Sequence, residues 1–311
     1  MSLYENLKTF DDKPVVDFKK SGDVTDFTNT AVRLRCAYDD DETLEEYVLM
    51  LLNEPGVEAL ETLVFGIWME GGEAYEVSPM PAIELLVAEK AKLPALKAMF
   101  VGDIISEENE MSWIEQGDVS SLWAAFPKLE LFTARGGNNL RLGKINHSAL
   151  KQLVIQTGGM PANLAKEAME ANAPITHLEL WLGDENYGAS ASVYDFAALF
   201  DGELFPGLDF LGFRNAADAD DIAAGVATST ILSRISTLDM SLGALSDKGA
   251  QALLDGGQLG HLKVLDVSHN YLSEDMVAAL AAVAPGLSAD DQKVPEDYGD
   301  GEVYYQIAVS E

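Results

Sequence analysis

The feature that most constrains this chain is a short apolar spacing that recurs along it. The clearest copy, residues 262–272, reads L-x-x-L-x-V-x-x-N-x-L and is followed by an Ala-rich, helix-like stretch at residues 273–280. Leu265 and Val267 are expected to point inward from a short strand, and Asn270 to hydrogen-bond the backbone of the bend. Such a layer cannot bury its apolar edges alone, so it predicts similar layers on both sides.

The same spacing can be followed through eight candidate layers with apolar residues at positions one, four and six. The triplets are Leu60/Leu63/Phe65, Leu96/Met99/Val101, Leu129/Phe132/Ala134, Leu150/Leu153/Ile155, Ile175/Leu178/Leu180, Leu208/Leu211/Phe213, Ile235/Leu238/Met240 and Leu262/Leu265/Val267. The last three layers start at residues 208, 235 and 262, an interval of 27 each time, whereas earlier intervals vary from 21 (129 to 150) to 36 (60 to 96). The N-terminal repeats are therefore degenerate.

Helix-like return segments lie between the candidate strands, among them residues 81–89, 163–170, 220–226 and 246–254. A strand alternating with a helix at this period predicts an α/β fold. We expect a leucine-rich-repeat-type solenoid, a horseshoe with a parallel sheet on its concave side and helices outside.

Two stretches carry a more specific resemblance. Residues 245–254, LSDKGAQALL, followed by residues 262–270, LKVLDVSHN, resemble the ribonuclease-inhibitor-like subfamily of leucine-rich-repeat proteins. The match is strong over residues 205–284 and weaker over residues 58–200, where most layers have Gly or another residue in place of the bend Asn. The resemblance implies protein binding, with an inhibitor or immunity-type role as its most concrete form. The chain is also similar to uncharacterised bacterial cytoplasmic leucine-rich-repeat proteins, which imply no activity.

The sequence predicts three segments. Residues 1–57 form an N-terminal cap and a first irregular layer, in which residues 10–18 are extended and shield an apolar edge. Residues 58–284 form the leucine-rich-repeat solenoid. Residues 285–311 form an acidic C-terminal tail, either a flexible linker or a cap in which residues 303–309 dock as a strand.

Composition limits the partners. The chain has 52 Asp and Glu but only 20 Lys and Arg, a formal net charge of −32. Such a chain repels nucleic acid and anionic membranes, so we expect a basic or neutral protein partner. The single cysteine, Cys36, excludes an internal disulfide, and the sequence has neither a secretion signal nor a long apolar stretch. These features predict a cytoplasmic protein; the oligomeric state is not indicated.

Motifs for catalysis or cofactor binding are not found. Residues 137–144 have one residue too many for a phosphate-binding loop, and Ile145 stands where a magnesium-binding hydroxyl belongs. Residues 218–221 are better explained by helix N-capping than by calcium. The four histidines include no H-x-x-x-H pair, and residues 188–192 lack the last Gly of a nucleophile elbow. We therefore expect no enzyme activity, no metal and no cofactor.

The strand register predicts a binding surface, because residues at positions three, five and seven of each layer point to the concave side. The predicted partner-binding residues are Trp181, Phe210, Arg214, Arg135 and His177 in a central patch, with Glu179, Asp239, Asp266 and His269 as a polar edge. The alternative is that Trp181 packs beneath the loop at residues 183–187, that Phe210 shields a neighbouring strand, and that each Arg is held in an intramolecular ion pair.

The leading functional hypothesis is a non-catalytic scaffold that binds a protein partner on the concave face. The alternative is a small-molecule-binding or hydrolytic enzyme that uses concave-face carboxylates. A deep pocket holding a carboxylate with a shifted pKa beside Trp181 or His177 would favour the enzyme, and a broad shallow patch would favour the scaffold.

Overall fold

The structure, a computed structural model, describes residues 4–38, 40–68, 77–297 and 303–309. Part of the predicted acidic tail, including residues 300, 302 and 311, lies outside these ranges. Within them the chain is a mixed α/β structure in which most neighbouring strands pair in parallel and helices or short turns lead from one strand to the next. None of the helices in the described ranges has both the length and the apolar character needed to cross a bilayer.

The first compact unit comprises Met1–Ile155 and Glu170–Pro174. Its elements are the strands β1 (Thr9–Phe10), β2 (Lys13–Asp17), β3 (Ala31–Cys36), β4 (Thr62–Trp68), β5 (Ala98–Asp103), β6 (Leu131–Arg135) and, as far as Ile155, β7 (Gln152–Gln156), and the helices α1 (Leu44–Leu52), α2 (Met80–Ala88) and α3 (Ser121–Ala125). β1 and β2 form an antiparallel hairpin, and β2 to β6 pair in parallel in chain order. β3, within the predicted cap, already pairs with β4 across the predicted boundary at residue 57.

The predicted apolar triplets align across the strands of the first unit. At position four, Leu63 of β4 is paired with Met99 of β5, which is paired with Phe132 of β6, and all three are fully buried. The layers therefore stack in register although their sequence intervals vary, because the extra residues lie in the connections between strands.

The N-terminal segment covers the other face of this sheet. Leu7 and Phe10 pack against an apolar group that includes Val64 and Phe100. Phe100 stands at position five, which we expected to point to an open surface, but it is completely buried. That expectation is wrong at Phe100, because the chain's own N-terminal residues cover this part of the sheet face and not only its edge.

The second compact unit comprises Gln156–Met169 and Ile175–Glu311. Its elements are the strands β8 (His177–Gly183), β9 (Phe210–Ala216), β10 (Thr237–Asp239), β11 (Val264–Asp266), β12 (Leu287–Ser288), β13 (Glu296–Asp297) and β14 (Val303–Tyr304), and the helices α4 (Ala162–Met169), α5 (Ala197–Phe200), α6 (Ala219–Ala227), α7 (Asp247–Gly256) and α8 (Glu274–Val283). β8 to β12 pair in parallel in chain order, and β13 and β14 form an antiparallel pair.

The position-four leucines of the second unit also form a buried row. Leu178, Leu211, Leu238 and Leu265 are aligned across β8 to β11, and each is fully buried. The strands occur where the spacing predicts them, and α4, α6 and α7 overlap the predicted helical segments. The alternation along each strand then leaves positions three, five and seven on the opposite face.

Asn270 holds the bend of the most regular layer, as predicted. Its side-chain amide donates to the carbonyl oxygens of Met240 at 2.9 Å and Val267 at 3.0 Å, and its oxygen accepts the Leu245 N–H at 3.0 Å. The preceding layer has Gly243 one repeat earlier, where a Cβ would lie 2.9 Å from the Ala216 carbonyl oxygen and 3.3 Å from Asn270 Oδ1. A glycine there therefore leaves space for the backbone of the layer before it and for the Asn of the layer after it.

The acidic residues at the start of α6 act on the next helix. Asp218, at the N-cap of α6, makes no side-chain capping hydrogen bond, so the predicted N-capping by this residue is wrong. Instead, Asp220 in the first turn accepts the N–H groups of Ser246 at 2.9 Å and Gly249 at 3.1 Å, at the start of α7. The acid thereby satisfies backbone donors that a helix start leaves without partners.

Candidate functional site

The candidate site is the face of β8 to β11 that lies opposite the leucine row; we call it the strand face of the second unit. The side chains are arranged in three rows. The third-position row is His177, Phe210, Thr237 and Val264; the fifth-position row is Glu179, Gly212, Asp239 and Asp266; the seventh-position row is Trp181, Arg214, Ser241 and Ser268. The register brings seven of the predicted binding residues onto one face of one unit.

Arg214 joins the fifth- and seventh-position rows. Its Nη1 lies 3.2 Å from Glu179 Oε1, and its Nε lies 3.3 Å from Asp239 Oδ2 and donates to Ser241 Oγ at 3.0 Å. Gly212 stands between the two acids, and a Cβ there would approach Glu179 Cγ to 3.1 Å. A side chain at this position would crowd the ion pairs. The glycine between two aligned acidic residues is the signal in the sequence that could have indicated this close contact.

Trp181 lies in the floor of the site and is not part of its surface. The side chain is completely buried, its Nε1 donates to Glu179 Oε1 at 2.7 Å, and Arg214 lies over the indole with its Cζ 5.0 Å from the ring centroid. The expectation of an exposed Trp181 is therefore wrong. The alternative, a tryptophan packed beneath other residues, describes Trp181 better. The residue that covers the indole is Arg214, whereas we expected the loop at residues 183–187.

Arg135 lies in the first unit and is only 1% exposed, so the expectation of an exposed arginine is wrong there too. Its Nη1 donates to the Ile104 carbonyl oxygen at 2.7 Å, and its guanidinium is 5.5 Å from the Phe100 ring centroid. Burial lowers the pKa of Arg135 to about 10, against the opposing influence of nearby carboxylates. The side chain is a structural cation beneath the covered face of that unit.

The third-position row remains open to solvent. His177 and Phe210 stack with ring centroids 3.8 Å apart and planes 6° apart, and both are partly exposed. Thr237 is partly exposed, and Val264 is 39% exposed. The row is thus a strip of flat and apolar side chains along neighbouring strands, of the kind that contributes to binding energy when covered by a partner.

The carboxylates beneath this row differ in their ionisation. Burial opposes the charged form of Glu179, but His177, Arg214 and the Trp181 N–H outweigh it and lower the pKa of Glu179 to about 2. Burial raises the pKa of Asp239, with Asp266 adding to the rise and Arg214 opposing it. Glu179 is therefore a permanent anion near neutral pH.

Two predicted polar residues lie toward the end of the second unit. Asp266 is aligned with Asp239, is partly exposed, and accepts the Ser268 N–H at 2.9 Å. His269 lies beyond the strand in a left-handed turn with a φ of 57°, and its Nε2 is 3.7 Å from Asp291 Oδ2. Asp266 therefore belongs to the strand face, whereas His269 belongs to the turn that follows it.

Two clefts of the second unit are lined by residues other than Trp181 and His177. One, of about 350 Å³, is lined by Leu182, Gly183, Asp184, Glu185, Ala189, Ala191, Ala217 and Asp218. The other, of about 250 Å³, is lined by Asp184, Asn186, Tyr187, Tyr304, Tyr305, Gln306 and Ile307. Within the described ranges, no three His, Cys, Asp or Glu side chains are grouped so as to hold a metal ion.

No protein-family model matches the chain, and no curated protein matches it. Among solved structures, a protein from Bacteroides fragilis, a structural genomics target, is 30% identical with a TM-score of 0.74, covering 89% of this chain and 76% of that chain. An internalin from Listeria monocytogenes is 14% identical with a TM-score of 0.39, covering 86% of this chain and 68% of that chain.

Proposed function

We propose that this chain, which belongs to the same family as the Bacteroides fragilis protein, is a non-catalytic scaffold that binds a protein partner on the strand face of its second unit. More specifically, we propose that the fold is a leucine-rich-repeat solenoid of the ribonuclease-inhibitor-like kind and that the protein has an inhibitor or immunity-type role. The observation that carries it is the open third-position row above an ion-paired floor.

The floor supports binding because its polar groups already have partners. Glu179 accepts from Trp181 and Arg214, and Arg214 also contacts Asp239 and Ser241. A network in which each charge is paired holds its side chains in one arrangement, and a prearranged surface loses less entropy on association. The partner would contact the open row and not displace the network.

The carboxylates are better suited to structure than to proton transfer. Glu179, with a pKa of about 2, holds no proton to donate near neutral pH. The raised pKa of Asp239 is a property that an acid or base would need, but Arg214 contacts its Oδ2 and the Ser241 N–H donates to its Oδ1 at 2.9 Å. Both oxygens are engaged within the floor.

The charge of the chain favours a basic partner. A net charge of −32 attracts a cationic protein over long distances and speeds its encounter with the surface. On the strand face, Arg214 offsets Glu179 and Asp239, while Asp266 adds a further negative charge beside Val264. A basic side chain lying along the third-position row would bring its charge toward Asp266.

The test compares proteins captured by the immobilised chain and by a Phe210→Ala, Val264→Ala double variant. We expect a basic protein to be retained at low salt and released between about 50 and 200 mM salt, because screening weakens exposed charge attraction over that range. With that protein purified, the double variant should bind it at least about tenfold more weakly, as expected for central apolar contacts.

Val283→Ala is the matched control, because Val283 is 45% exposed on α8 and lies outside the strand face. It should bind as the unmodified chain does. Equal binding by the double variant would exclude the strand face as the interface. Turnover of a small molecule that is lost in Glu179→Gln or Asp239→Asn would favour the enzyme instead.

A further inference from the structure

The last described residues of the chain cross the turns that follow the strands of the second unit. The Tyr271 hydroxyl donates to the Gln306 carbonyl oxygen and accepts from the Gln306 N–H, both at 2.7 Å. Two residues further on, the Ala308 N–H donates to the carbonyl oxygen of Leu242 at 2.9 Å. The segment therefore passes from the turn after β11 to the turn after β10.

The next contact is made by Asn215, the last but one residue of β9. Its Nδ2 donates to the Val309 carbonyl oxygen at 2.5 Å, and its Oδ1 accepts the Val309 N–H at 2.9 Å. Like Tyr271, Asn215 pairs with both backbone groups of one residue. Three successive layers thus each contact the backbone of the segment, and such contacts do not depend on the side chains of the bound residues.

Only one side chain of this segment is deeply buried. Ile307 is 8% exposed, whereas Gln306 is exposed and Ala308 partly exposed. Tyr305 lies edge-on to Tyr271, with ring centroids 4.9 Å apart, yet stays 44% exposed. The groove therefore holds the backbone of this segment, which bends at Ala308, and encloses one apolar side chain.

Two of the contacting residues share one position of the repeat. Asn215 and Leu242 have φ angles of 50° and 69° and are 27 residues apart, and His269, one repeat further on, has a φ of 57°. The left-handed region is unfavourable for a bulky side chain such as leucine, and such residues persist where the surroundings fix them. The left-handed conformation is therefore a feature of the repeat, and its copies at Asn215 and Leu242 contact the segment.

An open cleft lies at the next step of the same path. The cleft of about 350 Å³ is lined by Ala217 and Asp218, directly after β9, and by Asp184 and Glu185, after β8. Three acidic residues therefore line a cleft that begins two residues beyond Asn215 in the chain, and a peptide that continued past the Asn215 contact could reach it with its following residues. This charge favours Lys or Arg at those positions.

We propose that Asn215, Leu242, Tyr271 and the adjoining cleft form a peptide-binding groove, filled in this chain by its own C-terminal segment. The occupant in function is a segment of a partner protein with a branched apolar residue in the place of Ile307 and Lys or Arg after the place of Val309. The groove lies at and beyond the ends of the strands and not on the strand face. An experiment that disproves the groove therefore leaves the proposed function untouched, and the reverse also holds.

The test uses the full-length chain carrying Ile307→Asp, which prevents the chain's own segment from burying that side chain. The probe is a fluorescein-labelled peptide, VYYQIAVKK, residues 303–309 followed by two lysines, and binding is measured by fluorescence anisotropy. We expect at least about tenfold tighter binding to this variant than to the unmodified chain, where the tethered segment competes at an effective concentration on the order of millimolar.

Two control peptides and two control variants make the result specific. The peptide VYYQIAVEE should bind the variant at least fivefold more weakly, because the cleft is acidic, and VYYQDAVKK should not bind. Adding Tyr271→Phe should weaken binding of VYYQIAVKK at least fivefold, whereas adding Tyr194→Phe, at a tyrosine 86% exposed, should leave it unchanged. Absence of binding, equal binding to the unmodified chain, or no effect of Tyr271→Phe would each overturn the groove.

A second measurement needs no variant and decides the case if Ile307→Asp does not fold. In the unmodified chain, an excess of VYYQIAVKK should displace the tethered segment and speed hydrogen exchange at the amides of Gln306, Ala308 and Val309, which donate in the groove. VYYQDAVKK should not. Unchanged exchange with both peptides would exclude displacement and with it the proposal.

Discussion

At the scale of single residues, the strand face depends on how three buried groups satisfy one another. The indole N–H of Trp181 needs an acceptor, which Glu179 provides, and Glu179 needs a cation, which Arg214 provides while covering the indole. Removing one member leaves another buried without its partner, which costs more than the pair itself contributes. The alternation along the strands predicted where these residues lie, but it does not show that one covers another.

Glu179 makes the stability of the chain sensitive to acid. Its pKa falls from an ordinary 4.5 to about 2 on folding, so its charge stabilises the fold above about pH 4.5 and that contribution is lost as the pH falls toward 2. The full difference corresponds to roughly 3 kcal/mol. Glu179→Gln should therefore lower stability at pH 7 but lose less on acidification to pH 3, as measured by urea unfolding.

Asp239→Asn provides the opposite control. The folded pKa of Asp239 is raised, chiefly by burial, so its protonation stabilises the fold as the pH falls. The Asn variant lacks that gain and should lose at least as much stability on acidification as the unmodified chain. Identical pH dependence of the Glu179→Gln variant and the unmodified chain would show that Glu179 titrates normally.

At the scale of elements, helices of neighbouring layers are joined at their starts. Asp220 of α6 accepts backbone N–H groups of Ser246 and Gly249, and one repeat later Asp247 of α7 accepts the Ser273 N–H before α8 at 2.9 Å. An acid in the first turn of one helix thus caps the next. The first turn also favours negative charge, so the acid stabilises both helices.

Asp220→Ala should destabilise the chain by about 1–2 kcal/mol, because two backbone N–H groups at the start of α7 lose their acceptor. Asp221→Ala is the matched control: the charge lost and the helical turn are the same, but this side chain is 70% exposed, and its Oδ1 lies 3.6 Å from the Nζ of Lys248, which is 77% exposed. The control should cost a few tenths of a kcal/mol. Urea unfolding at pH 7 measures both, and equal losses would contradict the capping role.

The elements themselves were the most predictable part of the chain. The 27-residue interval placed β9, β10 and β11, and Asn270 was correctly assigned to the bend, because these features depend on residues close in sequence. The helix-to-helix capping by Asp220 was missed. Its partners lie 26 and 29 residues away, and a first-turn acid looks the same in sequence whichever helix it caps.

At the scale of the whole molecule, segments distant in sequence cover surfaces that the strand pattern alone would leave open. Leu7 lies on the sheet of the first unit, with its N–H 3.2 Å from Asp103 and its carbonyl oxygen 3.3 Å from Arg33. In the second unit Ile307 fills a groove along the turns and leaves the third-position row open. Strand alternation predicts which side chains share a face of the sheet. It does not predict that a segment distant in sequence covers that face, as Leu7 does beside Asp103, 96 residues away.

The charge of the whole chain leads to a further prediction, that added salt stabilises the fold. With 52 acidic and 20 basic residues, repulsion within the folded chain exceeds attraction, and salt screens it. At pH 7, raising NaCl from about 20 to 300 mM should raise the Tm by about 2–5 °C in differential scanning fluorimetry.

Choline chloride is the control salt and should raise the Tm equally, which would exclude specific sodium binding. A fall in Tm would mean that ion pairs outweigh the repulsion. Because affinity for a basic partner falls over the same range, stability and binding should respond to salt with opposite signs.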